Sequence, residues 1–290
     1  VQADAPLVVA SCGNAALAAA VMAAAAGRRL SVFIPPDADP AVVERLRSLG
    51  ADLQVCPREP RDRVGRGDPC YDRFLAAVEA GALPFSCQGP DNGLTIDGGA
   101  TLAWEVAEAM ADARAVPDRV VIQVGGGALA SAVVQGLDQA LTLGVLPWLP
   151  TIDAVQTAAA QPLVRAYDII RRQVDGRRAP ADALIDAAQH RGDYMWPWSS
   201  VPASVARGIL DDETYDWLAV VRGLVATGGS AIAVDEATLI EANHLARRAT
   251  GIDVDETGSA GLAGLLSLAR SGSITARADV VVVFTGVVRR

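Results

Sequence analysis

The chain has 290 residues, 51% of them hydrophobic and 20% charged. That composition excludes a disordered protein and is long enough for two lobes. A net charge of −9 argues against nucleic acid or an anionic membrane as the main partner, since both need basic surface. Apart from two histidines, every basic residue is an arginine, and there is no lysine. Covalent catalysis by a lysine amine therefore cannot come from these residues alone.

In chain order, Leu7 to Ala10 predicts a buried strand, and Ser11-Cys12-Gly13-Asn14 a tight turn. Ala15 to Ala26 predicts a helix of strong formers closed by Gly27. A second unit follows: strand Leu30 to Ile34, a break at Pro35-Pro36, and a helix from Pro40 to Leu49. Asp39 is placed as its N-cap and Gly50 as its stop. Asp52 to Cys56 predicts a third strand, and this alternation implies a parallel sheet with right-handed crossovers. Pro57 to Pro69 reads as a loop, Tyr71 to Ala80 as a helix and Leu94 to Ala115 as a longer one. Arg119 to Val124 is an apolar strand entering Gly125-Gly126-Gly127, with a helix from Leu129 to about Leu143 and a strand from Ile152 to Val155 beyond it.

The stretch from Tyr167 to Trp198 predicts mixed helix and loop. A short helix is expected around Ser204, then strand Ala231 to Val234 and a helix from Glu236 to Arg248 with Gly251 past its end. A helix from Gly258 to Ala269 and a strand from Asp279 to Phe284 complete the pattern. Strands that are apolar throughout suit sheets covered on both faces. The expected organisation is a smaller α/β lobe over residues 1–100 and a larger one over 101–290.

The four cysteines, Cys12, Cys56, Cys70 and Cys87, show no C-x-x-C spacing, so neither zinc nor a redox dithiol is expected. Their scarcity in so long a chain favours the reducing cytoplasm. The apolar run Ala15 to Ala26 is too short to span a bilayer.

Three turns follow apolar strands, and in open α/β sheets ligands bind outside the carboxyl ends of strands. At Gly125-Gly126-Gly127-Ala128-Leu129, bare amides beside a helix start make an anion site; the alternative is a tight strand-to-helix turn. The spacing is neither a nucleotide P-loop nor G-x-G-x-x-G. At Ser11 to Asn14, amides and side chains could grip a carboxylate or a ring hydroxyl, unless Asn14 only caps its helix; Cys12 lacks a nearby histidine that would make it a nucleophile. At Phe284-Thr285-Gly286, a hydroxyl can hydrogen-bond a neutral ring nitrogen, or the turn is ordinary surface. His244 reads as exposed, His190 as a loop residue with weak claims to binding, and Trp196 and Trp198 as packing residues.

In order and spacing these segments resemble the fold type II pyridoxal-phosphate (PLP) enzymes, closest to threonine synthase and the serine/threonine dehydratases. Ala10-Ser11-Cys12-Gly13-Asn14 is similar to the family's Ser/Thr-x-Gly-Asn loop. Gly98-Gly99-Ala100-Thr101-Leu102-Ala103-Trp104-Glu105 resembles "Gly-x-x-Thr-x-Ala-x-Glu", and Val124 to Leu129 resembles the phosphate loop. Val155-Gln156 with Pro162-Leu163-Val164-Arg165-Ala166, Thr227-Gly228-Gly229 with Asp235, and Glu256-Thr257-Gly258-Ser259-Ala260 resemble threonine synthase segments. The chain's end, Gly286-Val287-Val288, lacks the "Gly-His-Gly" that often follows the family's threonine.

The resemblance implies a two-lobed α/β fold, with parallel sheets mixed at their edges and helices on both faces. It implies that Gly125, Gly126, Gly127, Ala128 and Leu129 bind the phosphate of pyridoxal 5'-phosphate. It assigns Asn14 to the ring hydroxyl, Thr285 to the pyridine nitrogen, and Ser11, Cys12 and Gly13 to the substrate carboxylate. The expected activity is β- or γ-elimination or replacement on a small amino acid, in a homodimer with no metal. The family's Schiff-base lysine lies upstream of the Ser-x-Gly-Asn loop, and no residue here can supply it. A non-catalytic relative acting as a binding or scaffolding protein is the alternative. A nicotinamide-binding protein ranks last, because Leu143 to Pro150 lacks the acidic residue that dinucleotide sites place about twenty residues past the glycines.

Overall fold

The computed structural model describes residues 4–57, 68–198 and 202–286. They fall into two units, Val1–Thr95 and Ile96–Arg290. The first contains β1 (Leu7–Ala10), α1 (Asn14–Ala25), β2 (Leu30–Ile34), α2 (Pro40–Ser48), β3 (Asp52–Val55), α3 (Pro69–Glu79) and β4 (Leu83–Pro84). Its sheet order is β3-β2-β1-β4, with every pair parallel. Side chains alternate across a strand, and this builds two cores. Leu7, Val9, Leu30, Val32 and Ile34 face the small alanines of α1 with Val42 and Leu46 of α2. Val8 and Phe33 face Cys70 and Phe74 of α3. The Asp39 side chain accepts from Ala41 N at 2.8 Å, capping α2 as expected. Helix α3 begins at Pro69, where a loop was expected, because Asp68 accepts from Cys70 N at 2.9 Å and Pro69 suits the first turn. The rest of that expected loop, residues 58–67, lies outside the described residues.

From Ile96 on, helix α4 (Gly93–Ala113) belongs to the second unit. After it come β5 (Arg119–Gln123), α5 (Ala128–Thr142), β6 (Thr151–Thr157), α6 (Pro162–Asp175), α7 (Pro180–Gln189), α8 (Trp217–Thr227), β7 (Ala231–Val234), α9 (Glu236–Thr250), α10 (Ala260–Arg270) and β8 (Val280–Val282). The sheet order is β7-β6-β5-β8, again parallel throughout. Mixed edges were expected; the described edge strands are parallel too. Val120, Ile122, Ile152 and Ala154 face one core with Leu137, Leu163, Ile170 and Leu224. Val121, Val155 and Val234 face the other with Leu239, Ala242, Ala260 and Ala263.

The stretch from Tyr167 to Trp198, expected as mixed helix and loop, holds the end of α6, all of α7 and a 3-10 turn at Arg191–Asp193, with loop between and after them. In α6 the residues Leu163, Ala166, Tyr167 and Ile170 are buried at i, i+3, i+4 and i+7, the spacing of one helix face. Among the described residues around Ser204 there is no α-helix; a single 3-10 turn stands at Arg207–Ile209. Helix α8 was not expected at all. Its buried residues Trp217, Val220, Val221 and Leu224 stand at i, i+3, i+4 and i+7, but the apolar Leu218, Ala219 and Val225 between them blur that pattern in the sequence.

Both sheets share one topological feature. In the first unit, β1, β2 and β3 step outward in one direction and β4 returns to the other side of β1. In the second, β5, β6 and β7 step outward and β8 returns beside β5. Each sheet therefore has a switch point, between β1 and β4 and between β5 and β8. Outside the carboxyl ends of the strands at such a point lies the crevice where open α/β sheets bind ligands.

Candidate active site

In the second unit, the segments following β5 and β8 hold two groups of expected site residues. Register pairs Val121 with Val282, so the parallel strands leave the sheet at the same edge. One runs into Gly125-Gly126-Gly127 and the other into Thr285.

The glycine bend is held from behind by its carbonyl groups. Gln156 Nε2 donates to Val124 O and to Thr214 Oγ1, both at 3.2 Å. The Thr214 hydroxyl donates to Gly125 O at 3.0 Å, and Asp216 N to Gly126 O at 3.0 Å. Gln156 Oε1 accepts from Leu163 N at 2.8 Å, which ties the set to the first turn of α6. With the carbonyls committed, the amides of Gly125 to Leu129 make no hydrogen bond among the described residues. The amides of Ala128 and Leu129 open helix α5, whose N-terminal groups lack intrahelical acceptors, and Gly126, Ala128 and Leu129 are partly exposed. Donors without acceptors at a helix start fit a phosphate. Glycine is required here for a further reason. A methyl group on Gly125 would lie 2.3 Å from Asp211 Oδ2 and 2.9 Å from Ile209 Cα. On Gly126 it would lie 3.2 Å from Tyr215 Cδ2. Segment 208–216 thus passes directly against the bend, and that packing, together with access for an anion, accounts for the three glycines.

The exposed Thr285 is held by Gln123 at the end of β5. Gln123 Nε2 donates to Thr285 Oγ1 at 2.5 Å and to Gly258 O at 3.2 Å. Thr285 N also approaches Gly258 O, at 3.3 Å.

Ser11, Cys12, Gly13 and Asn14 follow β1 in the first unit. Ser11 Oγ accepts from Gly13 N at 3.3 Å. Gly13 is the N-cap of α1 and Asn14 its first helical residue, so Asn14 is not the cap. Cys12 is exposed. Cys56 and Cys70 are buried; burial, followed by the Asp68 charge and Cys56, drives the Cys70 thiol far above its ordinary range, so it supplies no thiolate. His190 stands on the surface with Nδ1 2.9 Å from Asp186 Oδ1, and His244 is exposed. Neither is brought to the bend. Trp196 is exposed and Trp198 partly buried, with the Arg165 guanidinium 3.7 Å and 5.3 Å from their ring centres. Burial lowers the Arg165 pKa and the Glu213 charge opposes that. No group of three or more histidine, cysteine or acidic side chains that could hold a metal occurs among the described residues. Nor does any helix among them have the length and apolarity to cross a membrane.

The sequence reading missed Gln123, Gln156, Thr214 and Asp216 as supports. Two of them carried a signal. Gln123 and Gln156 are polar side chains in apolar strands, and a buried amide needs partners.

A family model described as "Pyridoxal-phosphate dependent enzyme" matches residues 2–286. The chain belongs to that family, and pyridoxal 5'-phosphate is the family's cofactor. Threonine synthase of Methanocaldococcus jannaschii is 26% identical over 195 residues, 67% of this chain and 42% of that protein. Threonine synthase of Mycobacterium tuberculosis is 25% identical over 278 residues, 96% of this chain and 66% of that protein. The chain thus spans less than two thirds of these relatives' length. The crystal structure of T.th. threonine deaminase superposes with a TM-score of 0.70 at 20% identity, covering all of this chain and 80% of the other. That likeness shows the fold.

Proposed function

We propose that this protein is a PLP-dependent lyase of the threonine synthase type, which eliminates or replaces a group at Cβ or Cγ of a small amino acid. The observation that carries the reading is the pairing of the glycine amides with the Thr285 hydroxyl at the β5–β8 switch point. When bound, PLP supplies the electron sink for bond breaking at the substrate's α-carbon. The amides of Gly125, Gly126, Gly127, Ala128 and Leu129 hold its phosphate, with the α5 N-terminus adding a favourable dipole. Thr285 meets the pyridine nitrogen with a hydroxyl, which is too weak an acid to protonate it and so suits elimination and replacement. Asn14 holds the ring hydroxyl, and Ser11, Cys12 and Gly13 receive the substrate carboxylate. The threonine synthases matched over 96% of the chain support this choice of reaction. We place the protein in the cytoplasm as a homodimer that needs neither nucleic acid nor membrane.

The amine that takes up the cofactor's aldehyde is not among these residues, which include no lysine. Borohydride reduction of the PLP-loaded full-length protein, followed by peptide mapping, should fix the cofactor to one lysine. The same preparation should release phosphate or ammonia from a panel of small phosphorylated and hydroxy amino acids. A protein that binds PLP but shows neither fixation nor turnover is a scaffold and not a lyase.

A further inference from the structure

We infer that Gln123 is a positioning residue that fixes which way the Thr285 hydroxyl points its proton, and through it the protonation state of the cofactor's ring nitrogen. The inference rests on the proposed placement of Thr285 against the pyridine ring. Gln123 is buried, with 5% of its surface exposed, and ends β5. Its amide faces two oxygens, Gly258 O at 3.2 Å and Thr285 Oγ1 at 2.5 Å. A carbonyl can only accept. The Gly258 carbonyl therefore requires the amide nitrogen on that side, and the same nitrogen must then donate to Thr285. The flipped amide would set Oε1 against the Gly258 carbonyl with no proton between them. Oε1 instead points toward the start of α10, where a methyl group on Gly261 would lie 3.0 Å from it.

A hydroxyl has one proton to give. Because Thr285 Oγ1 accepts from Gln123, its own proton is left for its open side. A group that donates there pairs with an unprotonated pyridine nitrogen and disfavours a pyridinium N–H. The register holds because Gly258 O also receives Thr285 N at 3.3 Å, and because the backbones touch: a methyl on Gly258 would lie 2.2 Å from Gly286 N. Gln123, Gly258 and Thr285 form one hydrogen-bonded unit spanning the ends of β5, α10 and β8. A carboxylate at position 123 would reverse the polarity. It would accept the Thr285 proton and turn a lone pair toward the ring, which favours the protonated nitrogen.

The test is nitrogen-15 NMR of the full-length holoprotein loaded with ring-labelled PLP. In the native protein the ring resonance should sit at the neutral, hydrogen-bonded position. Gln123→Glu should shift it toward the pyridinium position. Thr285→Val should shift it toward free pyridine, and adding Gln123→Glu to Thr285→Val should cause no further shift. Gln123→Leu keeps volume without charge and covers the case in which the glutamate variant does not fold. It should move the resonance partway toward free pyridine and weaken PLP binding severalfold. If Thr285→Val moves the signal while neither folded Gln123 variant does, the inference is overturned and the proposed site survives. If Thr285→Val leaves the signal where it was, Thr285 does not face the ring, and both fail.

Discussion

Gly127→Ala should destabilise the second unit by about 3 kcal/mol and weaken PLP binding by at least tenfold. Two costs add. Gly127 has φ +95°, and a residue with a Cβ pays roughly 1–2 kcal/mol in the left-handed region. The new methyl would also lie 2.9 Å from Thr214 Cγ2 and 3.2 Å from Asp216 Cβ, and overpacking of this kind costs roughly 1–3 kcal/mol. The neighbours it pushes are the ones that anchor the bend through Gly125 O and Gly126 O, so the amides turn with them. Denaturant midpoints and a PLP titration measure the two effects. Native stability with native affinity would show that the bend tolerates a side chain and holds no phosphate.

Asp153→Ala should lower stability by a similar amount, about 3 kcal/mol, while leaving PLP affinity unchanged. Asp153 is fully buried in β6. It accepts from Arg119 Nη1 at 2.7 Å and Ser230 N at 2.9 Å. Breaking a buried pair costs about 3–5 kcal/mol because the partner is left uncompensated; the Arg119 side chain retains 22% exposure, which places the figure at the low end. Arg119 begins β5, so the pair lies toward the amino end of the sheet, away from the glycine bend. A matching fall in affinity would mean that the sheet transmits the damage and the two ends are not independent.

Local signals made most of the fold legible. Short apolar strands followed by helices gave β1, β2, β3, β5, β6 and β7 to within a residue or two. Caps such as Asp39 and stops such as Gly251 set helix ends, because those residue types satisfy orphaned backbone groups in a way the sequence states directly. Helix α8 was missed although Trp217, Val220, Val221 and Leu224 carry the spacing of one helix face, because the apolar Leu218, Ala219 and Val225 beside them blur it. The start of helix α6 was legible in Leu163, Ala166, Tyr167 and Ile170, yet the expected mixture of helix and loop began only at Tyr167. The two-residue β4 gave no pattern of its own; it exists because β1 offers it a free edge. At the candidate site, the glycines and Thr285 were visible because they end strands. Thr214 and Asp216 were not, for they reach the bend from 89 or more residues away along the chain, and only the folded sheet brings them there.

The way Gln156, Thr214 and Asp216 secure the bend has a kinetic consequence. Every tether runs from protein to protein, so the receptor is assembled before its guest arrives. An incoming anion has no loop to order and no backbone to rotate. The entropy of shaping the cradle is met once, at folding, and capture needs only the shedding of water from donors already aimed.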